Sequence, residues 1–532
     1  TINVNRADVE SPLSSDADLS KLNISAGELV PDFSADVTTY NVKVAKDVSH
    51  ISVTPTVASD VYAALTVNDT PANSGVAFGP INLNPGLNKI VIKVTAEDKV
   101  TAKDYTINVD RAQKDDGDSD GGGSGGSGGG GSSPSDKEPS NDGTEVKVPA
   151  PAPKLDQSSG VASAAVDKAA LDKAFKLAET NADGVKQVTI AIEKVNGAKA
   201  YKPELPAKAL SGNAEQQVKL ETEFADLVAP GNMFDSSKAK NADTIALSIG
   251  IADTAALDTE TQALVGNRPV IELNAFIDGK AASWNNPDAP VTVAIPYKPT
   301  AKELKDPEHI VIIHIDKNGN VIPVPNGRYD TATGKVVFTT THFSQYAVAY
   351  VTKTFDDITA YGWAQKQIEV MASKGVINGT SATTYTPAAN ITRADFMLLL
   401  VRALGLNAKT VDNFDDIDAG AYYADAVAIA KKLGITNGIG NNKFNPEAAI
   451  SRQDMMVLAE KAMTAAKKSI AAGSAKDLNK FSDASDIADY ASDSIAAMVK
   501  DGIVKGDGYR INPLGNATRA EVGVIIYRIY NQ

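Results

Sequence analysis

The sequence predicts a multidomain protein: an all-β sandwich module, then a mostly β middle domain, then an all-α triplet of repeats. Three observations predict it. Short alternating runs of Val, Ile, Thr and Tyr recur between turn residues over 18–112, and strand-like runs return after 155. A Gly/Ser/Pro-rich tract divides these two β-rich stretches. Three aligned blocks with helical periodicity fill 353–532. The 532 residues agree, since roughly 100–200 residues per domain gives three to five domains.

The chain starts with Thr1-Ile2-Asn3-Val4-Asn5-Arg6-Ala7, and this segment returns as Thr106-Ile107-Asn108-Val109-Asp110-Arg111-Ala112. The second copy closes a domain. Residues 1–12 therefore read as the end of a truncated upstream repeat, and the chain as the C-terminal part of a longer protein.

Residues 18–112 carry the strands Tyr40 to Val44, Ile51 to Thr54, Leu65 to Val67, Lys89 to Val94 and Tyr105 to Val109. About seven strands in this length imply a β-sandwich. Leu29-Val30-Pro31-Asp32-Phe33, Thr39-Tyr40-Asn41-Val42 and the closing Tyr105-Thr106-Ile107 resemble the cadherin-like β-sandwich modules of bacterial surface proteins.

Residues 113–154 read as an acidic, Gly/Ser/Pro-rich linker, because such a composition buries too little to fold. Asp116 to Gly121 has the spacing of the start of a calcium loop. Ser127 stands where that loop needs Glu, so a solvated linker is the reading.

Residues 155–352 read as a β-rich spacer domain with one helix near Ala169 to Ala178. Asp316 to Asn320 and Thr333-Gly334 are hairpin turns. Trp284 to Pro287, Ile295-Pro296-Tyr297 and Thr340 to Tyr346 resemble spacer domains found just before cell-wall-binding modules. His309 and His314 lie five apart and face opposite sides of a strand. His342, Ser344 and Asp330 lack the elbow and oxyanion loop of a hydrolase. No catalytic residue is assigned.

Composition narrows the chemistry. The chain has no Cys and four His, which excludes thiol catalysis and Cys-ligated zinc and leaves no metal site or cofactor to assign. A net charge of −14 argues against a nucleic-acid-binding surface. No apolar run reaches membrane-spanning length.

The three blocks open with Phe355-Asp356-Asp357, Phe414-Asp415-Asp416 and Phe481-Ser482-Asp483. Trp363-Ala364, Tyr423-Ala424 and Tyr490-Ala491 follow, then Gly375 to Gly379, Gly434 to Gly438 and Gly502 to Gly506. Tyr385-Thr386-Pro387, Phe444-Asn445-Pro446 and Ile511-Asn512-Pro513 precede Thr392-Arg393, Ser451-Arg452 and Thr518-Arg519. The opening Phe and the Arg are 38 residues apart in every block (355 to 393, 414 to 452, 481 to 519). Each block reads as helix, loop, helix, bounded at 353–410, 411–470 and 476–532. Thr392, Ser451 and Thr518 have capping-box form with the acid three residues later. Helix capping does not explain an Arg at the first helical position, where the macrodipole disfavours a cation. That Arg either bridges to a nearby Asp (357, 416 or 483), or joins free helix amides in holding an anion.

These landmarks resemble S-layer homology (SLH) domains. The resemblance implies a pseudo-threefold helical bundle whose grooves bind secondary cell wall polysaccharide, commonly through a pyruvate-ketal sugar. Carried over by residue, it implies groove sets Asp357, Trp363, Gly379 and Arg393; Asp416, Tyr423, Gly438 and Arg452; Asp483, Tyr490, Gly506 and Arg519. The third set is the least regular, with Ile511 in the aromatic position. The expectation is a non-enzymatic, secreted S-layer or surface protein of a Gram-positive-type bacterium. It is held non-covalently at the wall by an anionic, pyruvylated polysaccharide, and lattice self-association is open. The alternatives are the tethering part of an extracellular polysaccharide-degrading enzyme, or an adhesin.

Overall fold

A computed structural model describes residues 14–112, 140–141 and 146–532, apart from 32, 46, 47, 60, 61, 69, 85, 182, 235–238 and 240. The repeated start at 1–7, the acidic calcium-like segment and most of the Gly/Ser tract lie outside the described residues. The chain forms two compact units, divided at Gly131 and Ser132.

The first unit is a sandwich of two sheets. One orders the strands Leu19–Ile24, His50–Val57 and Phe78–Asn82. The other orders Thr39–Val44, Ala102–Arg111, Gly86–Ala96, Tyr62–Val67 and Thr70–Pro71. Every strand read from the period-2 pattern falls inside one of these. The alternation Tyr40, Val42, Val44 and Tyr105, Ile107, Val109 places one face of each strand in the core. Tyr105 stays satisfied by donating its hydroxyl to the Ala35 carbonyl, 2.9 Å away.

The second unit begins with a β-rich domain of two sheets around one core. Its helix Lys168–Leu177 lies within one residue of the stretch read from sequence, and Asp167 caps it; a second helix, Thr259–Val265, is not expected from the sequence. The segment read as linker ends earlier than 154. Val146–Lys147 pairs in parallel with Lys186–Ala191, and Lys154–Asp156 pairs with Val161–Ala165. Val146 and Val148 are buried, and that burial decides the matter against the Pro/Ala composition around them.

The second unit ends in helices. Each repeat contributes a first helix (Gly362–Ser373, Ala424–Lys432, Asp489–Lys500) and a second (Arg393–Leu404, Arg452–Ala465, Arg519–Tyr530). Ala364, Ile368, Met371 and Ala372 are buried, as their spacing requires. The packing is cyclic. The first helix of repeat 2 lies on the second of repeat 1, that of repeat 3 on the second of repeat 2, and that of repeat 1 on the second of repeat 3. A ring of three backbone hydrogen bonds closes the centre: Ile391 N–H to Ala517 C=O, Ala517 N–H to Ile450 C=O, and Ile450 N–H to Ile391 C=O. One core runs through all three repeats.

Candidate functional site

The second helices fix the site, because each starts with an N-cap, an Arg and an acid. Thr392, Ser451 and Thr518 hold extended backbone, and their hydroxyls accept from the amides of Asp395, Asp454 and Glu521. Of the three acids only Glu521 completes a capping box, accepting from the Thr518 amide at 2.9 Å. Asp395 and Asp454 accept phenol donors instead. Tyr422 donates to Asp395 at 2.5 Å and Tyr490 to Asp454 at 2.7 Å.

The helix-start amides are not free, which corrects one expectation. Arg393 N–H donates to Ala448 C=O, Arg452 N–H to Gly515 C=O and Arg519 N–H to Ala389 C=O. The next amides, of Ala394, Gln453 and Ala520, donate to Pro446, Pro513 and Pro387. The seam between repeats consumes these donors, so an anion here has only side chains to meet.

The arginine side chains also cross the seam. Arg393 Nε donates to Phe444 C=O, Arg452 Nε to Ile511 C=O and Arg519 Nε to Tyr385 C=O. Each Arg thus sits at the aromatic-x-Pro loop of the following repeat, cyclically. Neither Arg393 nor Arg452 shares a cluster with the Asp of its own block, so the sets drawn within single blocks are regrouped. Arg519 joins the Asp357 loop, Arg393 the Asp416 loop and Arg452 the Asp483 loop. Ion pairs to those three Asp residues do not form among the described residues.

The three clusters differ. Arg519 lies 4.5 Å from the Tyr385 ring centre and also donates from Nη2 to Asn378 C=O. Arg393 lies 5.1 Å from the Phe444 ring centre and 3.8 Å from Asp454, which also takes Tyr490. Arg452 has Ile511 instead of a ring and is 8% exposed. It closes a 2.6 Å ion pair with Glu521. Its charge is spent inside the fold.

Asp357, Asp416 and Asp483 act as loop clamps. Each carboxylate accepts two consecutive amides, Tyr385 and Thr386, Phe444 and Asn445, or Ile511 and Asn512. Burial opposes ionisation of Asp357 and Asp416, yet these amide donors hold both pKa values below the ordinary one. Gly438 and Gly506 have φ of +74° and +65°. A Cβ there would lie 2.7 and 2.8 Å from the rings of Phe414 and Phe481. A Cβ on Gly379 would lie 2.5 Å from the Phe355 ring. These glycines serve backbone and packing.

Trp363 and Tyr490 are exposed by 57% and 60%. Tyr423 is buried at 8% and donates to Glu447, so it is not the surface aromatic of repeat 2. Its neighbour Tyr422, 68% exposed, takes that role. Alignment on the following Ala selects the buried tyrosine of the pair. Counting from the opening Phe does not separate the pair, since Trp363 and Tyr422 stand eight residues beyond Phe355 and Phe414 while Tyr423 and Tyr490 stand nine beyond Phe414 and Phe481. The partners Tyr385, Phe444, Asp454 and Glu521 were visible as landmarks but not as members of a site.

Three helix-loop-helix repeats closed into a ring follow the β-rich middle domain and define a repeat-built module. The chain carries three S-layer homology domains, at 354–397, 413–456 and 480–522, and a cadherin-like beta sandwich domain at 19–112. Both are non-catalytic, and the S-layer homology triplet marks a secreted cell-surface protein anchored at the cell wall. The chain is 36% identical to an amylopullulanase of Thermoanaerobacterium thermosulfurigenes over 44% of its own length and 13% of that protein's. It is 29% identical to the surface-layer 125 kDa protein of Lysinibacillus sphaericus over 31% of its length and 14% of that protein's. It is 27% identical to the S-layer protein sap of Bacillus anthracis over 35% and 22%. The matches span less than a quarter of each relative. Among the described residues no helix is long and apolar enough to cross a membrane.

Proposed function

We propose that the triplet is a pseudo-threefold anchor that holds an anionic, pyruvylated secondary cell wall polysaccharide in two of its three seams. The observation that carries this is the state of Arg519. Among the described residues no carboxylate lies within ion-pair distance of it, and its guanidinium carbon stands 4.5 Å from the Tyr385 ring centre. A pyruvate ketal is a fixed carboxylate on a sugar ring, and a planar guanidinium matches it in two contacts. Arg393 is the second site. Its pair to Asp454 is long, and the exposed Tyr490 offers a face for a pyranose. The Arg452 seam is already neutralised by Glu521. Asp357, Asp416 and Asp483 with the three glycines shape the loops that carry the seams.

Pull-down with purified walls tests this reading. Native walls retain the full chain, while walls stripped of polymer or of pyruvate release it. Equal retention on stripped walls would overturn it. S-layer proteins among the relatives favour assembly in a surface lattice, tested by electron microscopy on wall fragments. The likeness to an amylopullulanase supports a second reading, in which the same anchor tethers a polysaccharide-degrading enzyme.

A further inference from the structure

A second candidate ligand site lies where the β-rich middle domain meets repeats 1 and 2. A cleft of about 410 Å³ opens there, within the range of about 300–1,000 Å³ typical of small-ligand sites. One wall comes from the middle domain, with Ile322, Pro323 and Thr341. The other comes from the second helix of repeat 1, with Arg402, and from the first helix of repeat 2 and the turn before it, with Asp425 and Tyr422.

Arg402 is the one Lys or Arg among the lining residues. Its guanidinium is partly buried, and among the described residues it has neither an ion pair nor a hydrogen bond. A half-buried cation with empty donors favours an anion. The two histidines in the cleft do not compete. His314 and His342 stand with ring centres 4.7 Å apart, and burial keeps both below their ordinary pKa. Asp425 is exposed on the same wall and unpaired among the described residues, free to accept hydroxyls. Tyr422 supplies a ring face and ties the cleft to the helix start through Asp395. Cation, hydroxyl acceptor, ring and apolar floor together suit one acidic sugar residue better than a bare ion or an apolar ligand.

We propose that this interdomain cleft binds a carboxylate-bearing sugar, with the carboxylate on Arg402, the ring on Tyr422 and hydroxyls on Asp425. Identifying that sugar with a unit of the wall polymer rests on the anchoring function proposed above; the cleft itself does not.

The test uses the full chain carrying Arg393→Ala and Arg519→Ala, so that the two seams are silent. Methyl glucuronide is titrated by NMR, with methyl glucoside and acetate as the neutral-sugar and bare-anion probes. Glucuronide binds at least about tenfold more tightly than either, the worth of one charged hydrogen bond. Adding Arg402→Gln removes that advantage. So does Ile322→Glu, which places a negative charge on an exposed cleft residue without touching the core, and thermal unfolding verifies that both variants fold. Glucuronide affinity unchanged in both variants, or equal to that of methyl glucoside or of acetate, overturns the proposal. Equal retention of the unsubstituted chain on native and stripped walls, with intact glucuronide binding, overturns the anchoring function alone.

Discussion

Arg519 packs over the ring of Tyr385, 134 residues earlier in the chain, with its guanidinium carbon 4.5 Å from the ring centre and Nε bonded to the Tyr385 carbonyl. The last repeat is thereby locked onto the first. The same contact holds at the seam a guanidinium that has no ion-pair partner among the described residues. Fold closure and anion recognition share one side chain.

Arg519→Ala in the full chain is expected to weaken wall retention by roughly 1.5–3 kcal/mol, the range for a charged hydrogen bond. Arg519→Lys recovers only part of it, because an ammonium neither stacks on Tyr385 nor makes two parallel contacts. Titrated pull-down on native walls reads both. Full recovery by Lys would show that charge alone matters and would remove the planar carboxylate model.

Arg452→Ala should behave differently. It breaks the 2.6 Å pair to Glu521 and the bond to Ile511 C=O at a position 8% exposed. The expected loss is roughly 1.5–3 kcal/mol of folding stability, seen in urea unfolding. Wall affinity of the folded fraction stays within about twofold, well under the tenfold that 1.4 kcal/mol represents. A large affinity loss at unchanged stability would return this seam to the binding set.

The helices, caps and strands were legible in the sequence because each is set by neighbours in the chain. Ala364, Ile368 and Met371 announce a buried stripe, and Thr518 with Glu521 announces a capping box. The alternation at Tyr105, Ile107 and Val109 likewise announces a strand with one face inward. The partnership of Arg393 with Phe444 was not legible. Identical spacing in three blocks is equally compatible with contacts inside a block and with contacts to the next one, and only the cyclic packing decides. Occupation of the helix-start amides by Ala448, Gly515 and Ala389 stayed hidden for the same reason. Tyr422 and Tyr423 are adjacent aromatics, and which one faces water depends on where the turn ends and the helix begins at Ala424.

Gly438→Ala tests the loop geometry. The residue sits at φ +74°, and a Cβ meets the Phe414 ring at 2.7 Å as well as the Lys443 carbonyl. Left-handed strain in a non-Gly residue costs about 1–3 kcal/mol before the clash is added. Urea unfolding should show at least that loss. Gly434→Ala has the same sign of φ, +71°, but open space around the Cβ, and should cost less. Equal losses at the two positions would mean that the clash with Phe414 relaxes freely.

The junction between the middle domain and the triplet should be sensitive to alkaline pH through Lys374. Its ammonium is buried between the two parts, bonded to Gly327 C=O at 3.0 Å and facing Ile310 C=O, and it stands 5.3 Å from the Tyr530 ring. Arg328 packs on the same ring, and Tyr530 donates to Gly327 C=O. Burial, reinforced by Arg328 and opposed by Glu308, pushes the Lys374 pKa down to about 7. The unfolded chain keeps the ordinary value of 10.5. Between these limits the unfolded state binds the extra proton, so stability rises with pH, by at most about 1.4 kcal/mol per unit. Below about 7 both states are protonated, and the penalty of the buried charge is present in full. Urea unfolding of the full chain at pH 6.5, 8 and 9.5 should show the transition of the larger unit moving to higher urea. Lys374→Met keeps the length of the side chain, removes the titrating group and should flatten this rise. An unchanged pH slope in Lys374→Met would show that the ammonium stays charged in the junction, held by its two carbonyls and the Tyr530 ring.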